Sequence, residues 1–154
     1  MKRLLFAAIL LPTLVFSQYE KSQIDSAVVI MHQLVNEYRG EYGLDTLELS
    51  EDLNKKAQAH AEWMYNTKRF EHSKDNDIDG ENCYKGVVWN SYNTYQPTKQ
   101  WVIVILDRWK ESPEHNKNIL LYKYNQIGYG FYLGYAVMMF DKKFTEGSWL
   151  ESLR

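Results

Sequence analysis

From Ser22 onward the apolar positions change period three times along the chain, and each change marks an element. Ile24, Val28, Met31, Leu34, Val35 and Tyr38 recur at helical spacing. Ser22 stands as a cap with Asp25 in the capping-box position, and Gly40 and Gly43 close the run. His32 falls off that stripe and is expected to face solvent. Leu44 to Leu49 alternates weakly and reads as an extended connector. Ser50-Glu51-Asp52 opens a second helix, with a cap and two acids in its positively polarised first turn. Its buried side is marked by Leu53, Ala57, His60 or Ala61, and Met64. A histidine on such a face is more often a hydrogen-bonded core residue than a ligand, and His60 is assigned that role.

A polar run from Phe70 to Asn82 has neither period and reads as a surface loop. A short strand is predicted from Asn82 to about Gly86, then a long loop carrying Trp89, Tyr92 and Tyr95. Pro97-Thr98 starts a third helix with an apolar face of Trp101, Val102, Ile105, Leu106 and Trp109. Ser112-Pro113 starts a short fourth helix that carries His115 and runs to about Leu120. Ile127–Gly134 and Tyr135–Phe140 are apolar on both faces, so both faces must be covered, and Gly134 at the junction points to a hairpin. One-sided helices around a two-sided sheet give an α+β fold, a three-layer α-β-α sandwich with a small, mainly antiparallel sheet.

The start of the chain differs in kind. Lys2 and Arg3 precede Leu4–Phe16, which is apolar apart from Pro12 and Thr13. These 13 residues fall short of the roughly 20 that span a bilayer. They read as an export signal, residues 1–17, cleaved after Ser17 and followed by a single domain over 18–154 with its core at about 24–141. The expected product is exported, to periplasm or medium, and monomeric. It would hold 16 basic and 20 acidic residues, a net charge of −4, with no electrostatic case for nucleic acid or an anionic membrane. Cys83 is the sole cysteine, so no intramolecular disulfide forms; burial as a small apolar residue is expected for it.

Candidate chemistry gathers at junctions. His72 and Glu81 flank the polar loop, and His115 lies just inside the Ser112-Pro113 helix start. If the two imidazoles and the carboxylate converge, they suit a divalent transition metal such as zinc, acid–base work, or polar recognition of a ligand. Trp109, Tyr129 and Phe131 are read as core, whereas Trp89, Tyr92 and Tyr95 have no apolar period to explain them and are candidates for a ligand surface. No serine, cysteine or threonine stands beside a recognisable base and orienting acid.

Five blocks in order resemble the CAP superfamily (SCP/TAPS, pathogenesis-related-1-like), in its bacterial form. They are Leu34–Arg39 with Gly43-Leu44 and Leu53 to Ala61; Glu71-His72-Ser73; Gly80-Glu81-Asn82; Trp109 with Ser112 to Leu120; and Ile127 to Gly130. The resemblance covers roughly residues 24–141 and implies an α-β-α sandwich with a cleft of two histidines and two acids around a divalent ion. His72 would be the first histidine, Glu81 the first acid and His115 the second histidine. Eukaryotic members place the second acid where this chain has Ser112. Glu111 and Glu114 lie nearby, but adjacent helical residues point about 100° apart, so neither inherits that position. Three functions stay open: a non-enzymatic module binding a divalent metal and a small lipid-like or cell-surface ligand; a metal-dependent hydrolase of peptidase type with Glu81 as base; or an interaction protein whose histidines brace its loops.

Overall fold

A computed structural model describes residues 7–86 and 98–142, with side chains from residue 21 onward. The elements in order are α1 (Ala7–Glu41), β1 (Glu48–Leu49), α2 (Glu51–Thr67), β2 (Gly80–Lys85), α3 (Lys99–Glu111), α4 (Pro113–Ile119), β3 (Gln126–Tyr132) and β4 (Tyr135–Asp141). The sheet order is β1-β3-β4-β2; β1 runs parallel to β3, and the other two pairings are antiparallel.

Period-two alternation on β4 divides the core. Ala136, Met138 and Phe140 turn to one face and meet Ile127, Tyr129 and Phe131 of β3 under α1, α3 and α4. Tyr135, Val137 and Met139 turn to the other, where Leu53, Ala57, Ala61 and Met64 of α2 cover them with Cys83 of β2. Full burial of Leu53 and Met64 is worth roughly 1.5–3 kcal/mol each, which fixes α2 on this face. The α-β-α sandwich expected from the sequence is therefore present, with α2 alone forming one outer layer.

The approach of α2 to β3 is close. A Cβ on Gly128 would lie 2.3 Å from the Leu53 backbone carbon, and one on Gly130 would lie 2.2 Å from that of Ala57. Because β1 has only two residues, the N–H groups of Tyr129 and Phe131 find no strand beyond it. Side chains of α2 take them instead: Tyr129 N donates to Asn54 Oδ1 at 2.8 Å and Phe131 N to Gln58 Oε1 at 2.9 Å.

Ends follow local chemistry. Ser50 caps α2, its hydroxyl accepting from Leu53 N, and Thr98 does the same for α3 through Trp101 N. At the end of α1, Leu44 N donates to Arg39 O and Gly43 N to Gly40 O, a Schellman closure with Gly43 at φ +68°. Leu133 and Gly134, at φ 42° and 89°, form the tight turn between β3 and β4. Arg39 is almost fully buried and donates to the carbonyls of Asp45, Ile119 and Leu121, tying α1 to the end of α4.

Several expectations need correction. Helix α1 begins at Ala7, and Ser22 lies inside it rather than capping it, because the apolar segment before Ser22 itself favours helix. His32 does not face solvent: it is half-buried, with its ring edge-on to Tyr129 and Asn36 beside its Nε2 at 3.3 Å. Strand β2 starts two residues early, at Gly80, because Gly80 and Glu81 continue the ladder to Phe140 and Met139. The residues Trp89, Tyr92 and Tyr95 lie outside the described ones. No helix among the described residues is long and apolar enough to cross a membrane.

Candidate functional site

Strand β2 is the edge strand of the described sheet; α4 meets it through Asn82, and the loop 68–79 reaches it through the bonds of His72 and Ser73 to Glu81. Alternation along it sorts the side chains. Glu81 and Cys83 turn toward α2, whereas Asn82 turns toward α4, where its Nδ2 donates to His115 O at 3.0 Å and its Oδ1 accepts from Asn118 at 2.9 Å. Asn118 also donates to Glu81 O at 3.3 Å. Strand and short helix are thus pinned together through fully buried Asn82, and His115 is delivered to the same edge.

Glu81 is the centre of the site. Its Oε1 accepts from the Ser73 N–H at 3.0 Å, meets His72 Nδ1 at 2.6 Å and accepts from Cys83 Sγ at 3.2 Å. Burial opposes the carboxylate charge, but the Ser73 N–H and His72 outweigh it and hold the group below its ordinary value. Oε2 is buried with no hydrogen-bond partner among the described residues, and it lies 4.0 Å from His60 Nε2. Burial and the neighbouring Glu81 charge push the Cys83 thiol up, so it rests protonated.

Two cavities meet at His72. A smaller one of about 190 Å³ is lined by Phe70, His72, Cys83 and His115. A larger one of about 300 Å³ is lined by His60, Trp63, Arg69, His72 and Lys74. Both run beside Glu71. Burial and the nearby His72 lower the His115 pKa, with Glu114 acting in the opposite sense, so its ring is biased toward the neutral, metal-competent form.

His72, Glu81 and His115, separated by up to 43 positions in the chain, are thus brought to one edge. Glu111 is exposed and paired with Arg108 at 3.1 Å; neither it nor Glu114 lines either cavity. Ser112 is spent as the N-cap position of α4, ahead of Pro113, and makes no side-chain cap bond. His60 is where sequence reasoning fell short. It is hydrogen-bonded, as expected, through Nε2 to Glu71 O at 2.9 Å, yet it also reaches the site, stacked on Trp63 with ring centroids 5.5 Å apart. The overlooked signal was Glu81-x-Cys83: two residues apart on a strand means the same face, and that face belongs to α2. His60, Glu81 and Cys83 place potential donor atoms within 4.8 Å of one another.

A family model described as the cysteine-rich secretory protein family, CAP, matches residues 32–140. No curated protein sequence matches the chain significantly. Among solved structures, the chain is similar to an extracellular protein containing an SCP domain from Bacillus anthracis. The TM-score is 0.64 at 18% identity, over 78% of this chain and 41% of that one. It is also similar to an outer surface protein from Borrelia burgdorferi, with a TM-score of 0.57 at 16% identity over 74% and 91% of the two chains. A cysteine-rich secretory protein from Staphylococcus aureus gives 0.53 at 18% identity, over 79% and 40%. The chain therefore spans about two fifths of the first and third of these, and identities this low carry the fold alone.

Proposed function

The chain belongs to the cysteine-rich secretory protein (CAP) family, and from that premise we propose that it is an exported, monomeric binding module rather than an enzyme. Its cleft would hold a divalent cation, zinc by preference, at His72 and His115. One observation carries this reading: Glu81 Oε1 lies 2.6 Å from His72 Nδ1, while His72 and His115 line one cavity. A carboxylate on one imidazole nitrogen sets the tautomer and leaves the other nitrogen uncommitted, the usual support for a metal-bound histidine. The donors suit the ion, since neutral imidazoles are ordinary zinc ligands. Bound there, zinc would supply a positive charge and an open coordination position for an oxygen of the ligand. The exposed faces of Phe70 and Trp63, 50% and 36% accessible, support a small ligand with an apolar part, lipid-like or from a cell surface.

Binding is favoured over hydrolysis by the state of Glu81. A carboxylate held below its ordinary pKa, with one oxygen already engaged by several donors, is a weak general base. The test is metal analysis of the purified full chain after zinc incubation and desalting, beside the His72→Ala/His115→Ala double variant. The wild type should retain an ion that the double variant loses; equal retention in the two would refute the assignment. Residues 1–17 are read as an export leader in the same proposal.

A further inference from the structure

The two oxygens of Glu81 stand in different surroundings, and only one is accounted for by the cleft. Oε1 is taken by Ser73, His72 and Cys83, whereas Oε2 is buried without a hydrogen-bond partner among the described residues, on a side chain only 6% exposed. An orphaned buried carboxylate oxygen costs about 1–3 kcal/mol or more unless something fills its neighbourhood. What faces it is His60, on α2, with Nε2 at 4.0 Å. Cys83 completes the group from the same strand face: a ring nitrogen of His60, a carboxylate oxygen of Glu81 and Cys83 Sγ fall within 4.8 Å of one another.

We propose that His60, Glu81 Oε2 and Cys83 form a second, inner site for a thiophilic divalent cation, separate from the His72–His115 pair. One nitrogen, one oxygen and one sulfur are a zinc-type donor set. Metal–ligand lengths of about 2.0–2.3 Å put tetrahedral donors roughly 3.3–3.8 Å apart, so no pair in the observed group needs to contract by more than about 1.5 Å. Access exists from two sides, because His60 lines the larger cavity and Cys83 the smaller. On uptake the Cys83 proton leaves to solvent and the thiolate binds the ion. His60 gives up its Nε2–H bond to the Glu71 carbonyl, passes that proton through solvent to Nδ1, and binds the ion through the freed Nε2; Glu71 lies on an exposed loop, so water takes over that carbonyl. Glu81 thereby serves both places, one oxygen orienting His72 and the other holding the inner ion.

Cobalt(II) titration of metal-free full-length protein tests this, since thiolate ligation gives a near-ultraviolet charge-transfer band that imidazole and carboxylate ligation do not. The wild type should show the band, and zinc should abolish it and protect Cys83 from alkylation. Cys83→Ser should lose the band and one bound ion per chain. His60→Ala should weaken cobalt binding at least tenfold as read from the band, and His72→Ala/His115→Ala should keep the band. Absence of the band and of zinc protection in the wild type would overturn the inner site, a result that needs no variant to fold. So would a band indifferent to His60→Ala, or one lost together with all bound metal in the His72/His115 variant, which would mean a single site. Retention of every ion in that double variant, by contrast, would sink the outer cleft and leave the inner site standing.

Discussion

A single added methyl group tests how closely α2 is held against β3. Gly130 faces α2 so closely that an added Cβ would lie 2.2 Å from the Ala57 carbonyl carbon and 2.3 Å from Gln58 N, backbone atoms with no rotamer to escape into. Restoring an ordinary 3.4 Å contact means moving helix or strand by about 1.2 Å. Overpacking of this kind costs about 1–3 kcal/mol. A shift that size also stretches the bonds from Tyr129 N to Asn54 and from Phe131 N to Gln58, now 2.8 and 2.9 Å, at about 1 kcal/mol each. Gly130→Ala should therefore destabilise the fold by about 3–5 kcal/mol, a large part of a typical domain's 5–15 kcal/mol. At an m-value of about 2 kcal/mol/M, the urea midpoint should fall by roughly 2 M. Gly40→Ala is the control: it sits within α1 with nothing within 4 Å of the new Cβ, so it should stabilise by about 0.5–1 kcal/mol. Urea unfolding followed by circular dichroism reads both, and midpoints that move together, or a Gly130→Ala midpoint equal to wild type, would refute the close-packing argument.

Three further outcomes follow from the same contacts. Glu81 is held below its ordinary pKa of 4.5 when folded, so its contribution is fully present above that value and lost as pH falls through the folded one. Glu81→Gln should cost about 1–3 kcal/mol at neutral pH; in denaturant titrations the gap from wild type should narrow below pH 4.5, and a gap constant with pH would contradict it. Arg39 donates to three backbone carbonyls from a site only 1% exposed, geometry a lysine cannot reproduce, so Arg39→Lys should lower stability by about 2–4 kcal/mol in urea unfolding. For the export reading, terminal sequencing of protein released by its host should begin at Gln18; an intact Met1 on the exported protein would count against it.

Much of the fold was legible because burial leaves a period. The stripe Trp101, Val102, Ile105, Leu106, Trp109 is the buried face of α3 without exception. The unbroken apolar runs at 127–140 could be satisfied only by cover on both sides, which α2 and the three other helices supply. Caps at Ser50 and Thr98 and the turn at Gly134 were equally local, since each rests on a few neighbouring backbone groups. His32 was misplaced because period reports which side of a helix faces the core, while a half-buried flank depends on a neighbour distant in sequence, here Tyr129.

The site divides along the same line. Sequence alone determined that His72, Glu81 and His115 were the groups worth following, because they stand at element junctions in an order that resembles the family's. Tertiary structure alone decided their relations: which oxygen of Glu81 meets His72, that Glu111 pairs outward with Arg108, and that His60 faces the unpartnered Oε2. The physical reason is that hydrophobic pattern is set by solvent, which every residue meets separately. Donor geometry is set by pairs of elements, and β2 meets α2 only once the sheet has closed between them.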